Sequence, residues 1–230
     1  MVELLRDLVD IDSNSFDKAG VDRVGARLTA FFDDNEIPHE TIPLEEYGDA
    51  IRAVVSGGDG NQPILLCGHR DTVFPTGEVE KRPFSIADGK AFGPGVADMK
   101  PGLVINAFIL AAFHKFGGHP NPLVGLFTGD EEIGSPASRD VITAEAEKAR
   151  LAFNSEPSRP SGNIVTRRKG GIFCRCEISG VAAHSGGFFE EGCSAIEELA
   201  RKVHALHALT DLDKGITINV GLVSGGQSVN

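Results

Sequence analysis

The stretch Pro63-Ile-Leu-Leu-Cys67, followed at once by Gly68-His69, is a short apolar run with glycine or polar residues beyond both ends. Such a run is typical of a strand that is buried on both faces of a sheet. Leu123-Val-Gly-Leu-Phe-Thr128 has the same pattern, and Leu151-Ala-Phe153 predicts another short strand. Because buried strands of this kind need helices on both sides, the pattern predicts an α/β domain.

Helical spacing appears between these strands. It predicts helices near residues 4–9, 19–35 and 100–116, the last apolar nearly all round and therefore buried. Ile51-Arg-Ala-Val-Val55 reads as a further strand, and Ser135-Pro136 as the N-cap and first position of another helix. The alternation predicts a layered α/β domain with a mixed, largely parallel sheet over residues 1–166.

The pattern changes after residue 166. Ile172 to Ile178, a helix from Ser194 to Leu209, and Ile216 to Val223 predict a β-α-β unit. We therefore expect residues 167–230 to form the first part of a second, incomplete α+β domain.

Composition and charge exclude several classes of protein. The 230 residues are 41% hydrophobic and 24% charged, which fits a folded, soluble protein. The net charge of −11 repels nucleic acid and anionic membranes. No apolar run approaches the ~20 residues of a membrane span, and Met1 to Asp10 is charged where a signal peptide is apolar. We expect a cytoplasmic protein with free thiols and with no nucleic-acid or membrane partner.

Three of the predicted strands end at, or are followed by, residues of types that bind metals. The first ends at His69, the second is followed by Asp130-Glu131-Glu132, and the third by Glu156, while Asp98 precedes the buried helix. Ligand sites in open α/β sheets lie at the carboxyl ends of the strands. A single histidine after a strand is more often a hydrogen-bonded structural residue. Three strands that each lead to such a residue, together with Asp98, favour a site for zinc or a similar divalent ion.

The spacing of these residues suggests which of them could bind metal, orient a ligand or act as a base. His69 and Asp71 lie on the same side of an extended backbone, so Asp71 can hold the ring nitrogen that does not bind metal. Glu131 and Glu132 are neighbours and cannot easily point the same way. One can bind metal while the other acts as a general base. The alternative, two solvated acids ahead of a helix N-terminus, stays open.

Four ordered motifs resemble the active site of the di-zinc aminoacylase and carboxypeptidase family, which includes glutamate carboxypeptidase, acetylornithine deacetylase and succinyl-diaminopimelate desuccinylase. They are Gly68-His-Arg-Asp-Thr-Val73, Gly93-Pro-Gly-Val-Ala-Asp-Met-Lys100, Thr128-Gly-Asp-Glu-Glu-Ile-Gly-Ser135 and Asn154-Ser-Glu-Pro157. Phe74-Pro75 and Gly93-Pro94-Gly95 look closer to the glutamate carboxypeptidase branch.

The resemblance implies a role for each site residue. Asp98 would bridge two zinc ions, with His69 and Glu156 on one ion and Glu132 on the other. Glu131 matches the general base, and Asp71 the residue that orients His69. The resemblance also implies a cis Asp98–Met99 peptide bond.

The second domain resembles a ferredoxin-like lid and dimerisation domain. Ala183-His184-Ser185-Gly186 looks like the motif whose histidine reaches the partner subunit's active site, and Gly225 to Asn230 like a segment whose asparagine contacts substrate. His184 and Asn230 are therefore expected to bind substrate in a homodimer. No residue matches the family's fifth metal ligand, so we expect the sequence to be a fragment of a longer chain.

The expected activity is zinc-dependent hydrolysis of the amide bond of a small peptide or N-acyl amino acid, of the glutamate carboxypeptidase type. Cobalt or manganese could replace zinc. Two alternatives stay open. One is an N-acyl amino acid deacylase of the acetylornithine deacetylase or desuccinylase type. The other is a catalytically incomplete module that only dimerises or binds.

Overall fold

The computed structural model describes residues 1–58, 60–158, 161–163, 169–226 and 228. The chain divides into two units, Met1–Thr166 and Arg167–Asn230. The first unit contains, in chain order, α1 (Val2–Val9), α2 (Lys18–Asp34), β1 (His39–Ile42), β2 (Ala50–Val55), β3 (Ile64–His69), α3 (Glu78–Lys81), β4 (Ser85–Ala87), β5 (Lys90–Phe92), α4 (Lys100–Lys115), β6 (Leu123–Thr128), α5 (Arg139–Lys148) and β7 (Leu151–Asn154).

The main sheet of the first unit has five strands in the order β1-β2-β6-β3-β7. β3 pairs in parallel with both β6 and β7, whereas β2 pairs antiparallel with both β1 and β6. Four of the five strands therefore run in the same direction and only β2 runs against them. This confirms the predicted α/β class with a mixed, largely parallel sheet. β4 and β5 form a separate hairpin ladder.

Helices cover both faces of this sheet. Alternate residues of β3 point to opposite faces, so Leu66 packs in the large cluster with α1, α2 and α4, while Leu65 packs in a smaller cluster with Val141 and Ile142 of α5. Burial of each large apolar side chain contributes about 1.5–3 kcal/mol. The two clusters hold the sheet in place, and the carboxyl ends of its parallel strands meet at one edge.

Helix α4 is buried along one face, where Leu103, Ala107 and Leu110 are almost fully covered. The prediction of burial on all sides is wrong, because Ile105 is 46% and Phe113 is 38% exposed. The helix packs on the sheet with one face only, so its other apolar side chains meet solvent. Across the described ranges of the chain, no helix has the length and apolar character needed to cross a bilayer.

The start of α5 differs from the prediction. Ser135 is not an N-cap: it has a left-handed backbone (φ 54°), and the helix begins at Arg139. The cause is the buried carboxylate of Asp130, which accepts hydrogen bonds from the backbone N–H of Ser138 (3.0 Å) and from its hydroxyl (2.5 Å). Asp130 thereby holds the intervening loop before the helix begins.

The second unit contains the helix α6 (Ala195–His207), which agrees with the predicted helix. Ser194 caps it by accepting a hydrogen bond from the backbone N–H of Glu197 at 3.2 Å. The strands expected over 172–178 and 216–223 do not form ladders in the described part of the unit. A strand requires a hydrogen-bonded neighbour and a covered face, but Phe173 is 97% exposed.

Candidate metal centre

The site lies where the parallel strands end. β3 ends at His69, which is in register with Thr128 at the end of β6, and β7 ends at Asn154. The loops that continue from β6 and β7 carry Glu131, Glu132 and Glu156 back to this edge. Asp98 reaches it from the turn before α4. The side chain of His69 is almost fully buried, with 2% exposed.

Three carboxylates converge on the ring nitrogen Nε2 of His69. Oδ1 of Asp98 and Oε1 of Glu156 each lie 3.3 Å from it, and Oε2 of Glu131 lies 3.6 Å away. Among the described residues, none makes a hydrogen bond of acceptable geometry to this buried atom. A buried nitrogen without such a partner, facing acceptor oxygens, is in the position of a metal ligand.

The electrostatics of the site favour a cation at this point. Burial alone lowers the pKa of His69, but Asp71, Glu156 and Glu131 outweigh burial and raise the pKa to about 11. The pKa of Asp98 is raised by burial and then by the charge of Glu156. Burial also raises the pKa of both Glu131 and Glu132. A divalent ion would relieve this repulsion between the carboxylates, displacing the proton from Nε2.

The buried carboxylate of Asp71 connects the two halves of the site. Its Oδ1 lies 3.3 Å from Nδ1 of His69 and accepts the backbone N–H of Glu131 at 3.1 Å. Its Oδ2 accepts the backbone N–H of Glu132 at 3.1 Å and the hydroxyl of Ser15 at 2.7 Å. Burial raises its pKa, but hydrogen bonds from His69, Ser15 and Glu132 outweigh burial and lower it. One side chain thus holds both the imidazole and the acidic loop.

Glu131 and Glu132 face different partners. The ligand atoms of His69, Asp98 and Glu132 lie within 4.8 Å of one another, and so do those of His69, Glu131 and Glu156. The structure therefore brings together all six residues singled out in the first unit. An imidazole with several carboxylates is a ligand set that suits zinc and similar divalent ions.

The connection from Asp98 into α4 is tied to the end of β3. The Asp98–Met99 peptide bond is cis, which confirms the prediction. Met99 is fully buried, and its sulfur accepts a hydrogen bond from the backbone N–H of His69 at 3.1 Å. The residue next to Asp98 thus contacts the strand end that carries His69.

Two buried cations beside the site were not anticipated from the sequence. Arg70, next to His69, donates hydrogen bonds to the backbone carbonyls of Val21 (3.0 Å) and Asp49, and burial lowers its pKa to about 10. Lys100 donates to the carbonyl of Ile11 at 2.9 Å, and burial lowers its pKa to about 8. Their only sequence signal is that each stands inside a site motif.

The two predicted substrate-binding residues belong to the second unit. His184 is exposed, and its Nδ1 accepts the backbone N–H of Gly186 at 3.0 Å. Asn230 lies outside the described residues. Their expected roles stay predictions.

Residues 65–224 match the sequence model of peptidase family M20/M25/M40. Carboxypeptidase G2 of Pseudomonas sp. (strain RS-16) is 29% identical over an alignment that covers 100% of this chain and 56% of the relative. Acetylornithine deacetylase of Pasteurella multocida is 32% identical over 83% of this chain and 53% of the relative. The chain thus spans about half the length of these relatives.

The fold also matches solved structures. A tripeptidase of Staphylococcus aureus superposes with a TM-score of 0.67 at 18% sequence identity, covering 100% of this chain and 61% of that chain. At this identity the likeness concerns the fold alone.

Proposed function

The chain belongs to peptidase family M20/M25/M40, and from this premise we propose that its protein is a metal-dependent hydrolase cleaving the amide bond of a small peptide or N-acyl amino acid. The observation that carries the proposal is the convergence of Asp98, Glu131 and Glu156 on the buried Nε2 of His69. The match to carboxypeptidase G2 supports a carboxypeptidase, and the glutamate type is proposed from the resemblance of the site motifs.

We assign the metal ligands as follows. His69 and Glu156 would hold one zinc ion, Glu132 a second, and Asp98 would bridge them. Bound zinc would polarise the scissile carbonyl and make water acidic enough to attack near neutral pH. His69 lies close to Asp98 and Glu132 and also to Glu131 and Glu156, which supports a metal centre built from these side chains. The division of the ligands between two ions follows the family resemblance.

Glu131 is the proposed general base. Its carboxylate lies beside the ligands, and its side chain is 48% exposed, so it can meet a water molecule. Burial raises its pKa, which makes the carboxylate a better proton acceptor. Oε2 of Glu131 would take the proton of the attacking water and pass it to the leaving amine nitrogen.

Asp71 is proposed to hold the imidazole of His69 in the orientation that presents Nε2 to the metal. Its carboxylate lies 3.3 Å and its backbone carbonyl oxygen 3.0 Å from Nδ1, the nitrogen that would not bind metal. Such a partner fixes the tautomer and makes the ligand more basic.

The second unit is proposed as a lid and dimerisation domain. In this scheme His184 of one subunit would contact the oxyanion in the other, and Asn230 would contact substrate. A single oxyanion donor typically contributes about 10²–10³ in rate. Homodimerisation and a cytoplasmic location stay parts of the proposal.

A deacylase is the second candidate, and the match to acetylornithine deacetylase favours it. Both candidates would use the same metal centre, and they differ in the acyl group and in the amino acid that is released. The residues around the metal ligands therefore support either substrate class.

The test is an assay of the protein with zinc on dipeptides, N-acyl glutamates and N-acetylornithine. We expect zinc-dependent hydrolysis that is lost in His69→Ala, with one substrate class strongly preferred. A protein that binds no divalent metal, or a His69→Ala variant that keeps wild-type metal content and rate, would contradict the proposal.

A further inference from the structure

Gly102 of helix α4 packs against Ser155, the residue before Glu156. A Cβ added to Gly102 would lie 2.2 Å from the carbonyl oxygen and 3.0 Å from the Cβ of Ser155. A Cβ does not fit 2.2 Å from a backbone oxygen, so the backbone at Ser155 packs directly against the helix.

One turn further along, Asn106 contacts the same serine. Asn106 is fully buried on α4. Its Nδ2 donates to the carbonyl oxygen of Cys67 at 3.0 Å, and its Oδ1 accepts the hydroxyl of Ser155 at 2.7 Å. The backbone N–H of Ser155 donates to the same Cys67 carbonyl at 3.3 Å. A buried amide requires hydrogen-bond partners, and here the partners are the end of β3 and the loop that leads to Glu156.

The same helix follows Asp98 directly, because α4 begins at Lys100. Its rise of 1.5 Å per residue fixes how far Gly102 and Asn106 lie from its N-terminus. Asp98 and Glu156 are both within 3.3 Å of Nε2 of His69, although 57 residues of chain separate them. One rigid element therefore contacts both chain segments that deliver these carboxylates.

We propose that the Gly102–Asn106 face of α4 sets the separation of Asp98 and Glu156, and that Asn106 and Ser155 are positioning residues for the metal centre. The inference rests on the proposed function, since it takes Glu156 as a metal ligand. It predicts that loss of the Ser155 hydroxyl disturbs the metal centre without touching a ligand.

The experiment compares Ser155→Ala, Ser155→Thr and Asn106→Leu with Asn35→Leu as the control. The side-chain amide of Asn35, which is half-buried at the C-terminal end of α2, also donates a hydrogen bond, to the carbonyl of Phe31 at 2.8 Å. Each protein is freed of metal, checked by thermal unfolding, and titrated with zinc and cobalt. The readouts are zinc affinity by chelator competition and the visible absorption of bound cobalt.

Ser155→Ala is expected to weaken zinc binding by about 10- to 100-fold and to shift the cobalt bands, while the metal-free protein unfolds at nearly the wild-type temperature. Ser155→Thr keeps the hydroxyl and should restore both properties. Asn106→Leu should resemble Ser155→Ala, and Asn35→Leu should bind metal as the wild type does. Wild-type affinity and spectrum in Ser155→Ala would overturn this inference alone. A wild type that binds no metal would overturn the proposed function and this inference with it.

Discussion

Asp71 supports two parts of the site at once, because its oxygens reach the imidazole of His69 and the backbone N–H groups of Glu131 and Glu132. A change at this residue is therefore expected to disturb two proposed metal ligands and the proposed base together. The contact of Asp71 with His69 was predicted from their spacing, but its contacts with more distant segments leave almost no signal in the sequence. Ser15, which donates to Asp71 from 56 residues away, has none.

Replacement of Asp71 by Asn is expected to lower metal affinity or activity by about 10- to 100-fold, since the amide no longer fixes the His69 ring as a carboxylate does. Zinc titration and initial rates measure the effect. Asp88→Asn is the matched control, because Asp88 is exposed and its left-handed φ of 51° suits Asn. Equal affinity and rate in the two variants would remove Asp71 from its positioning role.

Replacement of Glu131 by Gln is expected to reduce turnover by about 10²–10⁴-fold, the usual contribution of a general base. Metal content should stay near the wild-type value, because this glutamate is assigned to water and not to metal. Glu132→Gln is the contrast: it should lose metal as well as activity. Metal analysis beside the assay separates the two neighbours, and a Glu131→Gln enzyme with near-normal turnover would refute the assignment.

At the scale of elements, the buried strands were predictable and the marginal ones were not. The strand Leu123–Thr128 agrees with the prediction. Its six residues lie in the middle of the sheet and all of them are buried, so the sequence is apolar almost throughout. The short strand His39–Ile42 has only intermediate and exposed residues, so its composition carries no periodic signal. The site residues were predictable because each follows a short apolar strand or precedes the helix α4, although the third of these strands, β7, is exposed.

What the sequence did not reveal are the contacts between elements. Asn106 is the only polar residue between Leu103 and Phe113 of α4, which is a weak signal, and nothing in the sequence pairs it with Ser155. The loop held by Asp130 was misread as a helix start because Ser-Pro also occurs at helix N-termini. Tertiary hydrogen bonds decided both cases.

An ion-pair network joins α5 to β2 and makes the stability of the first unit depend on pH. Glu145 accepts hydrogen bonds from Nε of Arg52 (3.0 Å) and Nζ of Lys148 (2.7 Å). Burial raises the pKa of Glu145, but these two bonds outweigh burial and lower it from its ordinary value of 4.5. A carboxyl group with a lowered folded-state pKa stabilises the fold above the unfolded-state pKa, and this contribution is lost as the pH falls through the folded-state pKa.

Glu145→Gln should therefore lower the free energy of unfolding near pH 7, and the difference from wild type should shrink as the pH falls below 4.5. Urea unfolding at a series of pH values measures the difference. Glu147→Gln, an exposed glutamate on the same helix, is the control and should follow the wild-type curve. A Glu145→Gln difference that does not change with pH would contradict the network's ionic role.

For the whole molecule, metal binding and folding of the first unit are linked, because the ligands come from segments that only the folded sheet brings together. Zinc at 100 times its dissociation constant is expected to stabilise this unit by about 2.7 kcal/mol. Differential scanning calorimetry with and without zinc measures the shift, with magnesium at equal ionic strength as the control. An unfolding temperature that does not respond to zinc would show that the carboxylates hold no ion.

Colloidal behaviour is a further consequence of strand β7. All four of its residues are exposed, with Leu151 at 50% and Phe153 at 55%. In the described part of the chain it is one of the two edge strands of the main sheet. An uncovered apolar edge can pair with the same edge of another copy. The net charge of −11 opposes that encounter at low salt. Since the screening length falls from ~30 Å at 0.01 M to ~8 Å at 0.15 M salt, light scattering should rise with added salt, and an Ala152→Lys substitution should suppress the rise.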